Sequence, residues 1–190
     1  PKIEIIDNLF PIVTPFVVIY VLAYVFWLVC PIINSMASRE RYADYVVGFF
    51  FAYLAGAIIL VFFNATMDRV AEGVFINSVF DPFTFVHQFF VREVDSGTMA
   101  PNLLPSFHTI ASVFCYLGVM RCKEIPKGIR AFVLVFAILI LLSTLYTKQH
   151  YFLDLVSGTL IACFFYFLAR EFHWGRIIIP LLRKFDGRGE

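Results

Sequence analysis

The chain has 190 residues, 61% of them apolar, 24 of them phenylalanine and only 15% charged, where an average soluble domain carries about 25% charged residues. Its net charge of +1 implies no nucleic-acid partner, and the composition excludes a water-soluble domain in favour of an integral membrane protein. The expected fold is all-α, a single membrane-embedded domain over residues 1–190 built as a polytopic bundle of at least five spanning helices. Proline stands first where methionine is usual, so an N-terminal helix upstream is allowed for.

No charge interrupts residues 8–38, and the stretch from Phe16 to Val29 is aliphatic or aromatic throughout. About 20 such residues cross the hydrocarbon core, which makes this the first span. Pro11 and Pro15 lie near its start and Pro31 near its end, where proline disturbs a helix least. Residues 45–63 form the second span. The connection over residues 64–105 is the longest, and its part from Val74 to Val91 mixes Phe75, Phe80, Phe83, Phe85, Phe89 and Phe90 with Asn77, Asp81, His87 and Gln88. Such aromatic amphipathic sequence predicts short interfacial helices before the third span, which roof the site or guide a lipid into it. Asp81-Pro82 near the middle argues against a further span there. The third, fourth and fifth spans follow at residues 106–120, 131–146 and 151–168, each short enough that its ends lie at the interface.

Lysine and arginine in short loops stay on the cytoplasmic side. Arg39, Arg41, Arg121, Lys123, Lys127, Arg130, Arg170, Arg176, Arg183, Lys184 and Arg188 collect at one side, against Lys2, Arg69, Arg92 and Lys148 at the other. The first side is therefore cytoplasmic, and Arg69, His108, Lys148, His150 and Asp154 face the extracellular or periplasmic side of a cell membrane.

Two histidines at the edges of apolar segments carry the chemistry, since ionisable groups beside lipid are functional candidates by default. His150 and Asp154 are four residues apart, which on a helix puts both on one face, with the carboxylate holding one imidazole nitrogen and leaving the other as nucleophile or base. Alone, the pair also fits a helix-start histidine with an unrelated partner. Pro105-Ser106-Phe107-His108 opens the third span, and the free N–H groups of a helix start form an anion site. Ser106 can add a hydroxyl donor there, and His108 can give a proton to a leaving oxygen. Arg69 and Lys148 are the cations on the same side, suited to the equatorial oxygens of a phosphoryl group in transfer. Asp95 and Asn102, in the segment leading to Pro105, are candidates for positioning the loop or a headgroup. His87 and His173 lack a second ligand at metal spacing, and interface positions account for them, so no metal site and no cofactor is expected. Cys30, Cys115, Cys122 and Cys163 read as small packing residues.

Pro105-Ser106-Phe107-His108, and Ser143 seven residues before His150 with Asp154 four after it, resemble the second and third motifs of the type 2 phosphatidic acid phosphatase superfamily. The likeness runs from the second span to the fifth and is nearest to the branch with inositol phosphorylceramide synthase-like proteins and bacterial lipid phosphatases. The resemblance implies that His150 is a nucleophile forming a phosphohistidine, that Asp154 orients it, and that His108 protonates the departing alcohol and then activates water. It also implies that Ser106, Phe107 and the adjacent backbone bind phosphoryl oxygens, with Ser143 in support. Thr144 stands where the third motif has arginine, so Lys148 is the expected substitute; Arg69 matches the first-motif arginine, although Val70 follows it and the motif's lysine has no counterpart. The implied activity is metal-independent hydrolysis of a lipid phosphomonoester or diphosphate, of the phosphatidate, phosphatidylglycerophosphate or polyprenyl diphosphate class. A lipid-headgroup phosphotransferase and a non-catalytic lipid-binding protein are the alternatives. The partners expected are the lipid substrate and the bilayer, with the oligomeric state undetermined.

Overall fold

Pro11 and Pro15 decide where the first long helix begins. In the computed structural model, which describes residues 2–63, 65–75, 81–91, 99–100 and 104–185, a short helix α1 (Glu4–Asp7) precedes a non-helical segment, and α2 starts only at Phe16, just past Pro15 (Phe16–Asn34). The 8–15 stretch of the expected first span is therefore not helical, because proline lacks the N–H that the preceding turn needs. Its backbone is tied elsewhere, with Val13 N–H donating to the Tyr146 carbonyl at 2.9 Å. The next helix, α3 (Arg39–Phe62), begins six residues before the apolar run, since Ser38 caps it by accepting from Arg41 N–H.

Within the long connection, β1 (Met67–Asp68) pairs antiparallel with β2 (Met99–Ala100), which brings both ends of that connection together. Among the described residues between them lies the helix α4 (Pro82–Phe89), where Asp81 accepts from Thr84 N–H and Pro82 takes the first turn. It buries Thr84, His87 and Gln88 and exposes Phe83, Phe85 and Phe89, as an aromatic face toward lipid requires. Residues 76–80, including Asn77 and Phe80, lie outside the described residues, as do Asp95 and Asn102.

The third apolar segment is α5 (Phe107–Val119), at 13 residues too short to cross about 30 Å of hydrocarbon alone. It need not, because it is the central helix, in contact with α2, α3, α6 (Lys127–Tyr146) and α7 (Phe152–Glu171). Phe114 packs with Tyr45, Ile110 and Tyr166 on one side, and Cys115 and Val119 with Cys30, Phe26 and Ile140 on the other. The four cysteines are free. Around α5, helices α2, α3, α6 and α7 are long and apolar enough to span a membrane, so the fold is a polytopic helical bundle. A 3-10 turn (Trp174–Ile177) and α8 (Ile179–Phe185) then fold back on α3. The buried Asp44 holds that return, accepting from Gly175 N–H at 2.9 Å and from Arg170 at 3.2 Å. No apolar periodicity announces this C-terminal segment.

Candidate active site

The end of α6 and the start of α7 are joined by residues 147–150, and almost every polar group there is accounted for. Thr147 Oγ1 donates to the Ser143 carbonyl at 2.7 Å, and both Gln149 and His150 N–H reach the Thr144 carbonyl, at 2.8 and 3.2 Å. Lys148 takes a left-handed conformation (φ 51°) that is usual for glycine at a helix C-terminus. That sharp reversal aims His150 back across the bundle.

Asp154, wholly buried, is held from two directions. Its Oδ2 accepts from Tyr151 N–H at 2.8 Å and lies 3.5 Å from His150 Nδ1, while its carbonyl accepts from Ser106 N–H at 3.1 Å. One carboxylate thus fixes the start of α7 and lies behind the His150 ring, whose Nδ1 makes no hydrogen bond of its own among the described residues, and one carbonyl ties α7 to the start of α5. Gly158, a turn further on, permits this approach: a Cβ there would lie 2.7 Å from the Ser106 carbonyl oxygen.

Ser106 caps α5, its Oγ accepting from Thr109 N–H at 3.3 Å, so the hydroxyl hydrogen is left for another acceptor. Phe107 packs on Tyr53 at 5.1 Å between ring centres. His108 faces His150, Nδ1 to Nε2, at 3.4 Å. The other side of the His108 ring meets an aromatic wall from α2: Tyr20 stacks on it at 4.9 Å, Trp27 meets it edge-on at 5.2 Å and Tyr24 at 6.4 Å. Trp27 is itself held by donating to Ser112 Oγ at 3.0 Å. Sequence reading missed this wall, although positions 20, 24 and 27 share one helical face.

Arg69 follows β1, 1% exposed, and donates to Gln149 Oε1 at 2.6 Å. Gln149, between Lys148 and His150, was not singled out from sequence; a polar residue flanked by two candidates was the only signal. Lys148 turns its ammonium toward the Asp7 carbonyl at 3.2 Å and Glu72 Oε2 at 3.6 Å. Glu72 also takes Lys2 at 2.7 Å and the Tyr151 hydroxyl at 3.0 Å. Burial raises the Glu72 carboxyl, but hydrogen bonds from Lys2 and Tyr151 and the charges of Lys2 and Lys148 outweigh it and hold the group below its usual range. Asp7 in turn accepts Phe152 N–H at 2.7 Å, placing a carboxylate at the positive end of α7. The N-terminal segment is therefore a strut of the site.

His87, read from sequence as an interface residue, is 1% exposed and donates through Nε2 to the Thr147 carbonyl at 2.8 Å. Burial first, then the nearby Arg69 charge, push its pKa below the usual imidazole value, despite the opposing pull of the Thr147 bond. Ser143, by contrast, donates to the Ile140 carbonyl in its own helix at 2.7 Å. Among the described residues, no group of three or more His, Cys, Asp or Glu side chains could hold a metal ion.

The structure thus defines a multi-pass membrane protein whose polar centre is two facing histidines, one backed by a buried aspartate, at one end of the bundle. The chain belongs to the PAP2 superfamily, whose family model matches residues 5–168, and its fold is of the phosphatase type. No curated protein and no solved structure matches the chain.

Proposed function

We propose that the protein is a lipid phosphate phosphatase working through a phosphohistidine on His150, with its site on the extracellular or periplasmic side of a cell membrane. One observation carries the reading: His150 stands between Asp154 Oδ2 at 3.5 Å and His108 Nδ1 at 3.4 Å, so one ring nitrogen has a buried anion behind it and the other faces a second imidazole. Asp154 favours the tautomer with hydrogen on Nδ1, leaving the Nε2 lone pair to attack phosphorus. Beside the bound phosphate anion His108 takes up a second proton; as the N–P bond forms, the P–O bond to the lipid alcohol breaks, and His108 gives that proton to the departing oxygen. Neutral His108 then takes a proton from water, whose oxygen attacks phosphorus; the N–P bond breaks and inorganic phosphate leaves.

The rings are too close for this in the observed state. Attack from about 3 Å and a hydrogen bond of about 2.8 Å to the leaving oxygen put the two nitrogens roughly 6 Å or more apart, so substrate binding separates the pair. His108 is the partner that yields, because it is held by ring contacts, whereas the His150 backbone is fixed by the 147–150 turn. Arg69, through its place beside Gln149, and the start of α5 supply the charge and N–H groups for phosphoryl oxygens. The apolar outer faces of the bundle favour a lipid as the carrier of the phosphate.

The test is release of inorganic phosphate from phosphatidate, phosphatidylglycerophosphate and polyprenyl diphosphate in detergent, by wild type and His108→Ala. Phosphate release in water alone, reduced about 10²–10⁴-fold in the variant, supports hydrolysis; turnover that requires an added alcohol overturns it in favour of transfer.

A further inference from the structure

At the end of the bundle away from the histidines, α5 stops at Val119 and α6 starts at Lys127, and a pocket of about 440 Å³ opens between them. Arg121, Lys127 and Arg130 line its polar part, and Tyr116, Met120 and Leu134 its apolar part. No carboxylate lines it, and among the described residues none lies within ion-pair distance of the three cations. The nearby Glu124 accepts from Cys122 Sγ at 3.0 Å, and Arg41 is committed to the Gly118 and Met120 carbonyls at the end of α5 and to the Tyr166 hydroxyl.

Two further features make this concentration of charge costly as it stands. Helix α6 begins with Lys127 and Arg130 in its first turn, no acidic residue there and no side-chain cap from Pro126, so cations sit at the positive end of the helix dipole. Arg130 Nε is shielded from solvent and has no hydrogen-bond partner among the described residues, a cost that an acceptor in the pocket would remove. Above the cations, Leu134 continues into Val135 and Ile138, both exposed on the outer face of α6. A ligand with a small anionic head and an apolar tail matches this sequence of surfaces, as basic pockets at helix ends do for anionic lipids.

From these features we infer that the pocket binds the phosphate headgroup of an anionic phospholipid from the leaflet at that end, with an acyl chain along Leu134, Val135 and Ile138. The site is independent of the histidine chemistry and lies at the opposite end of α5 and α6. It makes anionic lipid a bound component that staples the α5–α6 turn.

The test is native mass spectrometry of the whole protein from mixed micelles with equal phosphatidylglycerol and phosphatidylcholine, for wild type, Arg130→Gln and the triple variant Arg121→Gln/Lys127→Gln/Arg130→Gln. Wild type should retain phosphatidylglycerol preferentially, with affinity falling about fivefold for the single variant and about a hundredfold for the triple, while turnover in phosphatidylcholine micelles is unchanged. Should the triple variant fail to fold, the single variant decides. Equal retention of the two lipids by wild type, or undiminished retention by the variants, overturns the inference. Displacement of phosphatidylglycerol by millimolar inorganic phosphate reassigns the pocket to a soluble anion and also overturns it.

Discussion

Gly158 is where α7 presses on the start of α5, and replacing it by alanine tests whether that approach sets the catalytic geometry. The added Cβ would lie 2.7 Å from the Ser106 carbonyl oxygen and 3.0 Å from Thr109 Cβ, where ordinary contact begins at 3.4 Å. The first neighbour is backbone and cannot rotate away, so the helices must part by several tenths of an ångström. Overpacking of this kind costs about 1–3 kcal/mol, and the better helix propensity of alanine returns about 1 kcal/mol, so Gly158→Ala should fold with only a modest loss of thermal stability. Activity should suffer more. The same displacement stretches the Ser106 N–H bond to the Asp154 carbonyl and shifts the N–H groups at the start of α5 relative to Asp154 and His150, and a misplacement near 1 Å costs about 10²-fold, so turnover should fall about 10–100-fold. The assay is phosphate release from a lipid phosphate alongside thermal unfolding, with Gly128→Ala as control, since nothing lies within 4 Å of a Cβ there. Wild-type turnover and stability in Gly158→Ala would refute the reasoning.

The buried His87 resists protonation, so below the usual imidazole value of 6.5 the unfolded chain binds more protons than the folded one and stability is lost as the pH is lowered. Glu72, held below its usual 4.5, adds a loss in the same direction at lower pH. The thermal midpoint of wild type should therefore drop on acidification below about 6.5, and His87→Gln, which keeps a donor for the Thr147 carbonyl, should flatten that part of the profile; an unchanged profile would count against it. Gly118→Ala would place a methyl 1.9 Å from Asn34 Oδ1. Asn34 is fixed by donating to the Cys30 and Cys115 carbonyls, so a loss of about 3 kcal/mol should appear in denaturant or thermal unfolding. Arg69→Lys should raise KM and lower kcat/KM about tenfold or more, because an ammonium cannot hold Gln149 and a phosphoryl oxygen with one planar fork; kinetics equal to wild type would remove Arg69 from the site.

The long helices were legible because hydrocarbon length and charge avoidance leave a local signature; His150 and Asp154 do meet at 3.5 Å, but not on one helix face, because α7 begins only at Phe152 and Asp154, in its first turn, reaches back past the Tyr151 cap to His150. The helix ends were less so: α3 and α6 run out to Arg39 and Lys127, since backbone hydrogen bonding continues where hydropathy stops. What could not be read joins residues remote in the chain. Asp7 reaches Phe152, Arg69 reaches Gln149, His87 reaches Thr147, and the aromatic face of α2 meets His108. Each partner is unremarkable in its own segment, and only packing of the bundle brings it to the histidines.

The phosphohistidine itself is the most direct measurement. Wild type, His108→Ala and His150→Ala are mixed with a lipid phosphate carrying labelled phosphorus, quenched in alkali, and the label is mapped by peptide mass spectrometry. The mechanism predicts label on residue 150 in wild type, label that both forms and decays more slowly in His108→Ala, where neither the leaving alcohol is protonated nor water activated, and none in His150→Ala, with turnover there down about 10³-fold or more. Label on another residue, or undiminished turnover in His150→Ala, would contradict it.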